Sequence, residues 1–171
     1  AGMSANMYME TVTGFSASLI QSLGGDTQKV AEISEMAITD MSDNANKMGT
    51  TMESIRYAYM GFAKQNYTML DNLKIGYGGT KAEMQRLLAK EKKITGIKYD
   101  ISNLADVYNA IHVIQGELGI TGTTALEANT TIEGSMNRLK ASWENVLVGI
   151  ADDNADFGAV INNFVDSLLV A

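Results

Sequence analysis

Apolar residues recur every three or four positions along nearly the whole chain, in segments that end at glycine. This spacing places them on one face of an α-helix, and glycine favours the left-handed conformation in which helices end. The sequence shows no convincing alternation of apolar and polar residues, the pattern of a half-buried strand. Each helix then has an apolar face that another helix must cover. We therefore expect an all-α fold, an irregular bundle of about six to eight amphipathic helices with no sheet.

Glycines and helix-starting residues divide the chain into segments. Paired glycines at 24–25 and 78–79, with Gly49, Gly96 and Gly119, are expected to end helices. Asp26 or Thr27 begins the second helix, Asn103 begins a later one, and the cluster at 42–44 weakens the second helix in its middle. The Thr-x-x-Glu pattern of a capping box occurs three times, at Thr50–Glu53, Thr80–Glu83 and Thr124–Glu127.

The length of 171 residues favours one domain, 1–171, with 1–79 and 80–171 as its two sub-units if it divides. The chain begins with Ala1 rather than Met, so we expect a fragment of a longer chain or a processed end. Five residues on predicted apolar faces are expected to be buried: Leu104, Ile111, Ile132, Leu139 and Trp143.

Composition excludes several chemistries. The chain has no cysteine and one histidine, which rules out a disulfide framework, a thiol nucleophile and a His-rich metal centre. Its net charge is −7, and an acidic chain binds nucleic acid poorly as a whole. Residues 74–98 differ, with seven basic and two acidic side chains. We interpret this basic segment as a solvated helix face and expect no strong contact with DNA.

Two loop motifs resemble ligand sites without meeting their requirements. Gly76–Lys81 is rich in glycine, but a P-loop needs its lysine directly after glycine and a preceding strand. Asp152, Asn154 and Asp156 have the spacing of a calcium loop, but Phe157 stands where that loop needs glycine. Both segments are predicted to be turns between helices.

The remaining polar candidates also have structural explanations. His112 has no carboxylate three or four residues away in its own helix, so it is expected to be a boundary histidine. The carboxylate pairs Glu32–Glu35 and Asp40–Asp43 are expected on solvated helix faces. The methionines mostly follow the apolar lines, and core packing is favoured over a repacking surface. We predict no catalytic residue, no cofactor and no metal site.

Several stretches resemble the tape measure proteins of long-tailed bacteriophages and prophages. They include residues 15–27, residues 36–50 with the sequence Met-Ser-Asp-Asn-Ala-Asn-Lys-Met-Gly, residues 55–79 and residues 130–145. The resemblance spans most of the chain, although whole members of that family are several times longer. It implies a largely helical, non-enzymatic protein that is assembled inside the tail tube in the host bacterial cytoplasm, sets tail length and helps to deliver DNA.

The partners that the resemblance implies are other tape measure copies, tail tube proteins and tail assembly chaperones, with the host membrane during ejection. A second class of function is a helical coiled-coil signalling segment or a membrane-active secreted segment, which unbroken heptads would favour. The glycine breaks argue against it. An enzyme such as a tail lysin is third, because the required His, Cys or carboxylate constellation is missing.

Overall fold

A computed structural model of the chain describes residues 5–123, and these residues form helices and turns without any strand. Five α-helices follow one another, with a short 3₁₀ turn at Leu70–Leu73 between the third and the fourth. Their bounds are α1 Ala5–Ser22, α2 Thr27–Met48, α3 Met52–Ala63, α4 Lys81–Thr95 and α5 Leu104–Glu117. The all-α prediction is confirmed for this part of the chain. The five α-helices within residues 5–123 are slightly fewer than the six to eight expected for the whole chain.

Most predicted helix ends are confirmed, because capping is local chemistry. The side chains of Asp26, Thr80 and Asn103 accept hydrogen bonds from backbone N–H groups in the first turns of α2, α4 and α5. Gly49 and Gly96 end α2 and α4 in the left-handed conformation, with φ of +67° and +75°.

Two local predictions are wrong. The α3 helix is capped by Thr51, whose hydroxyl accepts from Ser54 N at 3.2 Å, and not by Thr50. The Thr50 hydroxyl instead donates to Asn44 Oδ1 at 3.1 Å. The polar cluster at 42–44 does not weaken α2, which is one continuous helix of 22 residues. Asp43 and Asn44 are buried there and make tertiary hydrogen bonds, which compensate for their modest helix propensity.

One contiguous core includes residues from all five helices. At its centre the ring of Tyr108 lies 5.5 Å from that of Phe15, in an edge-on arrangement, and 5.1 Å from that of Tyr59. The Tyr108 hydroxyl donates to the Tyr59 carbonyl oxygen at 2.8 Å, so the polar end of this buried ring has a partner. Leu104 and Ile111 are buried as predicted. Ile132, Leu139 and Trp143 lie outside the described residues.

Small residues on α1 allow α3 to approach closely. A Cβ at Gly14 would lie 2.6 Å from the terminal methyl of Met60, and the Ser18 hydroxyl donates to the Ala63 carbonyl oxygen at 3.2 Å. The small side chains at these two positions therefore let α3 lie close to α1. In α4 the apolar residues Met84, Leu87 and Leu88 are buried, whereas Ile94 near the end of the helix is 51% exposed.

Candidate functional site

Within residues 5–123, a group of polar side chains, four of them buried, lies where α2 packs against α5. Asp40, Asp43 and Asn44 share one face of α2, since they are three and four residues apart. His112 and Gln115 face them from α5, three residues apart. We call these five residues the α2–α5 polar cluster. The prediction that Asp40 and Asp43 lie on a solvated face is wrong, because both are buried. Glu32 and Glu35 are exposed, as predicted.

His112 and Asp40 form the charged pair of the cluster. His112 Nδ1 lies 2.9 Å from Oδ1 and 3.0 Å from Oδ2 of Asp40, whose side chain is only 1% exposed. His112 is thus the partly exposed boundary histidine that the sequence predicts, with its side chain 41% exposed. The carboxylate that orients it belongs to Asp40 in α2, 72 residues earlier in the sequence. The spacing of residues within α5 therefore could not predict this pair.

The surroundings of this pair raise the pKa of both side chains. Burial raises the pKa of the Asp40 carboxyl above its ordinary value, although the hydrogen bond and charge of His112 act in the opposite direction. The hydrogen bond to Asp40 raises the pKa of His112, and the negative charges of Asp40 and Asp43 add to this while burial opposes it. Burial also raises the pKa of Tyr59, which senses the Asp40 charge.

Two amides extend the cluster towards the centre of the bundle. Gln115 Nε2 donates to the Asp40 carbonyl oxygen at 3.1 Å, and Gln115 Oε1 accepts from Asn44 Nδ2 at 2.8 Å. The same Asn44 amide donates to the Leu73 carbonyl oxygen at 2.9 Å. Buried amides with several partners fix one relative position of the elements that they join. Here they join α2, α5 and the 3₁₀ turn.

Asp43 holds the chain that follows α5. Its Oδ2 accepts from Gly122 N at 2.7 Å, and its carbonyl oxygen accepts from the Thr123 hydroxyl at 3.3 Å. The backbone N–H of Ile120 in turn donates to the Gln115 carbonyl oxygen at 2.9 Å, which closes the end of α5. The cluster therefore fastens α2, α5 and residues 120–123 together.

The cluster has the histidine and carboxylate of a catalytic triad, but residues 5–123 supply no third member. Nucleophilic catalysis needs a hydroxyl or thiol at the second ring nitrogen of the histidine. No hydrogen bond joins Nε2 of His112 to a Ser or Thr hydroxyl in residues 5–123. Across the same residues, no three His, Asp or Glu side chains converge as metal ligands would. The hydrogen bonds of the cluster join α5 to α2.

The glycine-rich loop before α4 has a structural role. A Cβ at Gly79 would overlap the carbonyl oxygen of Thr68, so the close approach of two loops requires glycine there. Glu83 accepts hydrogen bonds from Gly78 N and Arg86, which lower its pKa, and the Arg86 guanidinium lies 4.1 Å from the centre of the Tyr77 ring. The predicted turn into a capped helix is confirmed. The calcium-loop residues Asp152, Asn154 and Asp156 lie outside the described part of the chain.

The burial of the methionines and of the basic segment is mostly as the sequence predicts. Met41 and Met84 are fully buried, Met36, Met48 and Met52 pack against the core, and Met69 is 45% exposed. All seven basic residues of 74–98 are exposed, as expected for a solvated face. None of the five α-helices described here has the length and hydropathy that crossing a membrane requires.

The chain was also compared with known proteins. No protein-family model, no curated protein and no solved structure matches it.

Proposed function

We propose that this chain is a folded, non-catalytic helical module of a phage tail tape measure protein, which contributes to tail assembly, length determination and DNA delivery. The proposal rests on the resemblance of residues 15–27, 36–50, 55–79 and 130–145 to that family. The structure adds a separate argument about which part of such a protein this segment would form.

The observation that carries this argument is the contact between α1 and the start of α5. Asn103 Nδ2 donates to the Ser22 carbonyl oxygen at 2.9 Å, although 81 residues separate them. In one straight helix the two residues would lie on the order of 120 Å apart, at about 1.5 Å per residue. A graduated ruler requires extension, whereas these helices fold back. We therefore infer a head or docking module within the tape measure protein rather than part of the ruler.

The polar chemistry of the described residues supports a structural role. The α2–α5 polar cluster uses its histidine, carboxylates and amides to join elements of the fold. The coiled-coil alternative fits these contacts less well, because the apolar faces of α2 and α5 are covered by helices of the same chain. The proposed partners are other tape measure copies, tail tube proteins, tail assembly chaperones and, during ejection, the host membrane. The proposed location is the tail interior of the virion after assembly in the host bacterial cytoplasm, with no strong contact to DNA.

An in-frame deletion of this segment in the parent phage tests the proposal. A folded module predicts defective assembly or infection, without tails shortened by the length of an equivalent helix, on the order of 250 Å. The matched control is an in-frame deletion of equal length in an extended helical part of the same protein, which should shorten the tail. Electron microscopy measures both. Viable particles whose tails are shorter by on the order of 250 Å would show that this segment is ruler.

A further inference from the structure

A groove runs beside α4 that none of the contacts described above uses. One wall is the face of α4 that carries Leu88, Ala89 and Lys92, and the other is the chain at 98–101, which runs back along the helix after Gly96. The groove has a volume of about 590 Å³. That volume lies within the range of sites that bind small molecules and short peptide segments.

Hydrogen bonds hold the second wall in place. The Thr95 hydroxyl donates to the Glu91 carbonyl oxygen at 2.9 Å, accepts from Ile97 N at 3.2 Å and lies 3.3 Å from the Tyr99 hydroxyl oxygen. Further along, the Tyr67 hydroxyl donates to the Ile101 carbonyl oxygen at 3.3 Å. The groove is therefore preformed, and a ligand does not have to order its walls on binding.

The groove combines an apolar floor with a basic rim. Leu88, Ala89 and Ile101 supply apolar surface, and Ile97, which is 57% exposed, extends it at one end. Lys92 and Lys98 stand at the rim, and neither makes an ion pair with a described residue. Lys98 acts at longer range on Asp100, whose pKa is lowered by the hydrogen bonds from Ser102 and then by the charge of Lys98. The one carboxylate in the lining, Asp100, accepts hydrogen bonds from Ser102 N at 2.9 Å and from the Ser102 hydroxyl at 2.7 Å, so its own loop engages it.

We propose that this groove binds an acidic, amphipathic segment of a partner protein, with its apolar side chains against Leu88, Ala89 and Ile101 and its carboxylates at Lys92 and Lys98. The charge of residues 74–98 is complementary to such a segment. The concave shape favours a peptide over an anionic bilayer, since a flat surface does not enter a groove. This inference is independent of the tape measure proposal, because it concerns the chain itself.

Fluorescence anisotropy of the whole chain tests the groove. The probe is a fluorescein-labelled helical peptide with leucine and glutamate at every third or fourth position of one face. The double variant Lys92→Glu/Lys98→Glu is expected to weaken binding by about tenfold or more. The matched control Lys74→Glu/Lys81→Glu makes the same change in net charge outside the groove and should weaken binding by less than about twofold.

A second variant tests whether peptide binding depends on the groove itself or only on positive charge near it. Ala89→Trp fills the floor without a change in charge and is expected to weaken peptide binding about as much as the lysine double variant. The three positions changed on the rim and floor, Ala89, Lys92 and Lys98, are exposed, so unchanged circular dichroism is expected for each variant. A peptide with lysine in place of glutamate should not bind.

Three results would overturn the proposal. The first is equal loss of binding in both lysine double variants, or no binding of the acidic peptide at all. The second is binding to vesicles of equal parts phosphatidylglycerol and phosphatidylcholine, but not to the peptide, that requires Lys92 and Lys98. The third is self-association of the chain in sedimentation velocity that Lys92→Glu/Lys98→Glu abolishes, which would assign the groove to a second copy.

Discussion

Helix α5 packs against α2 on one side and against α4 on another, and each contact buries a carboxylate. At α2 the carboxylate is Asp40, and both of its oxygens lie within 3.0 Å of His112 Nδ1. At α4 it is Glu91, which is 0% exposed, and neither of its oxygens has a hydrogen-bond partner within residues 5–123. Burial, and then the nearby charge of Glu117, raise the pKa of Glu91.

The difference between these contacts shows what a buried charge does with and without a partner. A buried carboxylate that is paired and hydrogen-bonded fixes the position of its neighbours, whereas an unpaired one mainly costs desolvation energy. We therefore expect the α2–α5 contact to define how the helices are arranged. The α4–α5 contact is expected to depend on apolar packing and to tolerate removal of its charge.

The largest loss in the free energy of unfolding is expected on the apolar face of α5. Ile111 is fully buried beside His112, and Ile111→Ala removes three buried carbon atoms and leaves a cavity. We expect a loss of about 2–5 kcal/mol in the free energy of unfolding, measured by urea denaturation. The matched control is Val113→Ala on the same helix, which is only half-buried and should lose less. A loss under about 1 kcal/mol for Ile111→Ala would show that this part of the core is loosely packed.

The next largest loss of stability is expected when the buried amide in the α2–α5 contact is replaced. Gln115→Leu keeps the volume but removes the acceptor of Asn44 Nδ2 and the donor to the Asp40 carbonyl. We expect a loss of about 1–3 kcal/mol, because polar groups stay buried with fewer partners. Gln85→Leu on exposed α4 surface is the control and should change stability by less than about 0.5 kcal/mol. Equal effects of the two substitutions would contradict a specific role for the cluster.

The charged pair is expected to contribute less, since His112 is partly exposed. Removal of its ring in His112→Ala leaves Asp40 buried without its partner, and we expect a loss of about 1–2 kcal/mol near pH 6, below the effect of a fully buried pair. A double-mutant cycle with Asp40→Asn measures the coupling between the two side chains. Additive effects in that cycle would mean that the pair contributes nothing of its own.

The Asp40–His112 pair also predicts the direction of the pH dependence. Asp40, Glu91 and His112 all have raised pKa values in the folded chain, so the folded state holds these protons more tightly than the unfolded state. The free energy of unfolding should therefore fall as the pH rises from about 5 to about 8. Denaturation across this range checks the sign, and His112→Gln should flatten the part of the curve above about pH 6.5. A rise in stability over the same range would contradict the assignment.

The smallest effect is expected at the unpaired carboxylate, and it has the opposite sign. Glu91→Gln removes a charge that has no partner in the described part of the chain, so the variant should equal or exceed the parent in stability at pH 8, by up to about 1 kcal/mol. At pH 4, where the parent carboxyl is protonated, the two proteins should match. If Glu91→Gln destabilises the chain at pH 8, Glu91 has a stabilising contact and the contrast with Asp40 fails.

The sequence by itself determined the helices and most of their ends. The caps at Asp26, Thr80 and Asn103, and the glycines that end α2 and α4, act within a few residues, so local chemistry suffices to predict them. The buried positions of Leu104 and Ile111 follow in the same way from the 3.6-residue period of the helix. The cap of α3 lies one residue after the predicted one. Thr50 alone has a glutamate three residues later, but its hydroxyl bonds to Asn44 in a tertiary contact, and the adjacent Thr51 caps the helix.

The polar cluster and the groove could not be predicted from the sequence, because only the tertiary structure brings their residues together. Asp40, Asp43 and Asn44 have the spacing of a solvated helix face, and His112 has no carboxylate neighbour in its own helix. The partners that join these residues to α5 and to Gly122 are 71 to 79 residues away in sequence. A periodicity within one helix carries no information about which other helix covers it. The exposure of Ile94 and Ile97 has the same origin, since the chain after Gly96 turns back on one side of α4 only. A helix face becomes core or surface according to what packs on it, and that choice is made between helices.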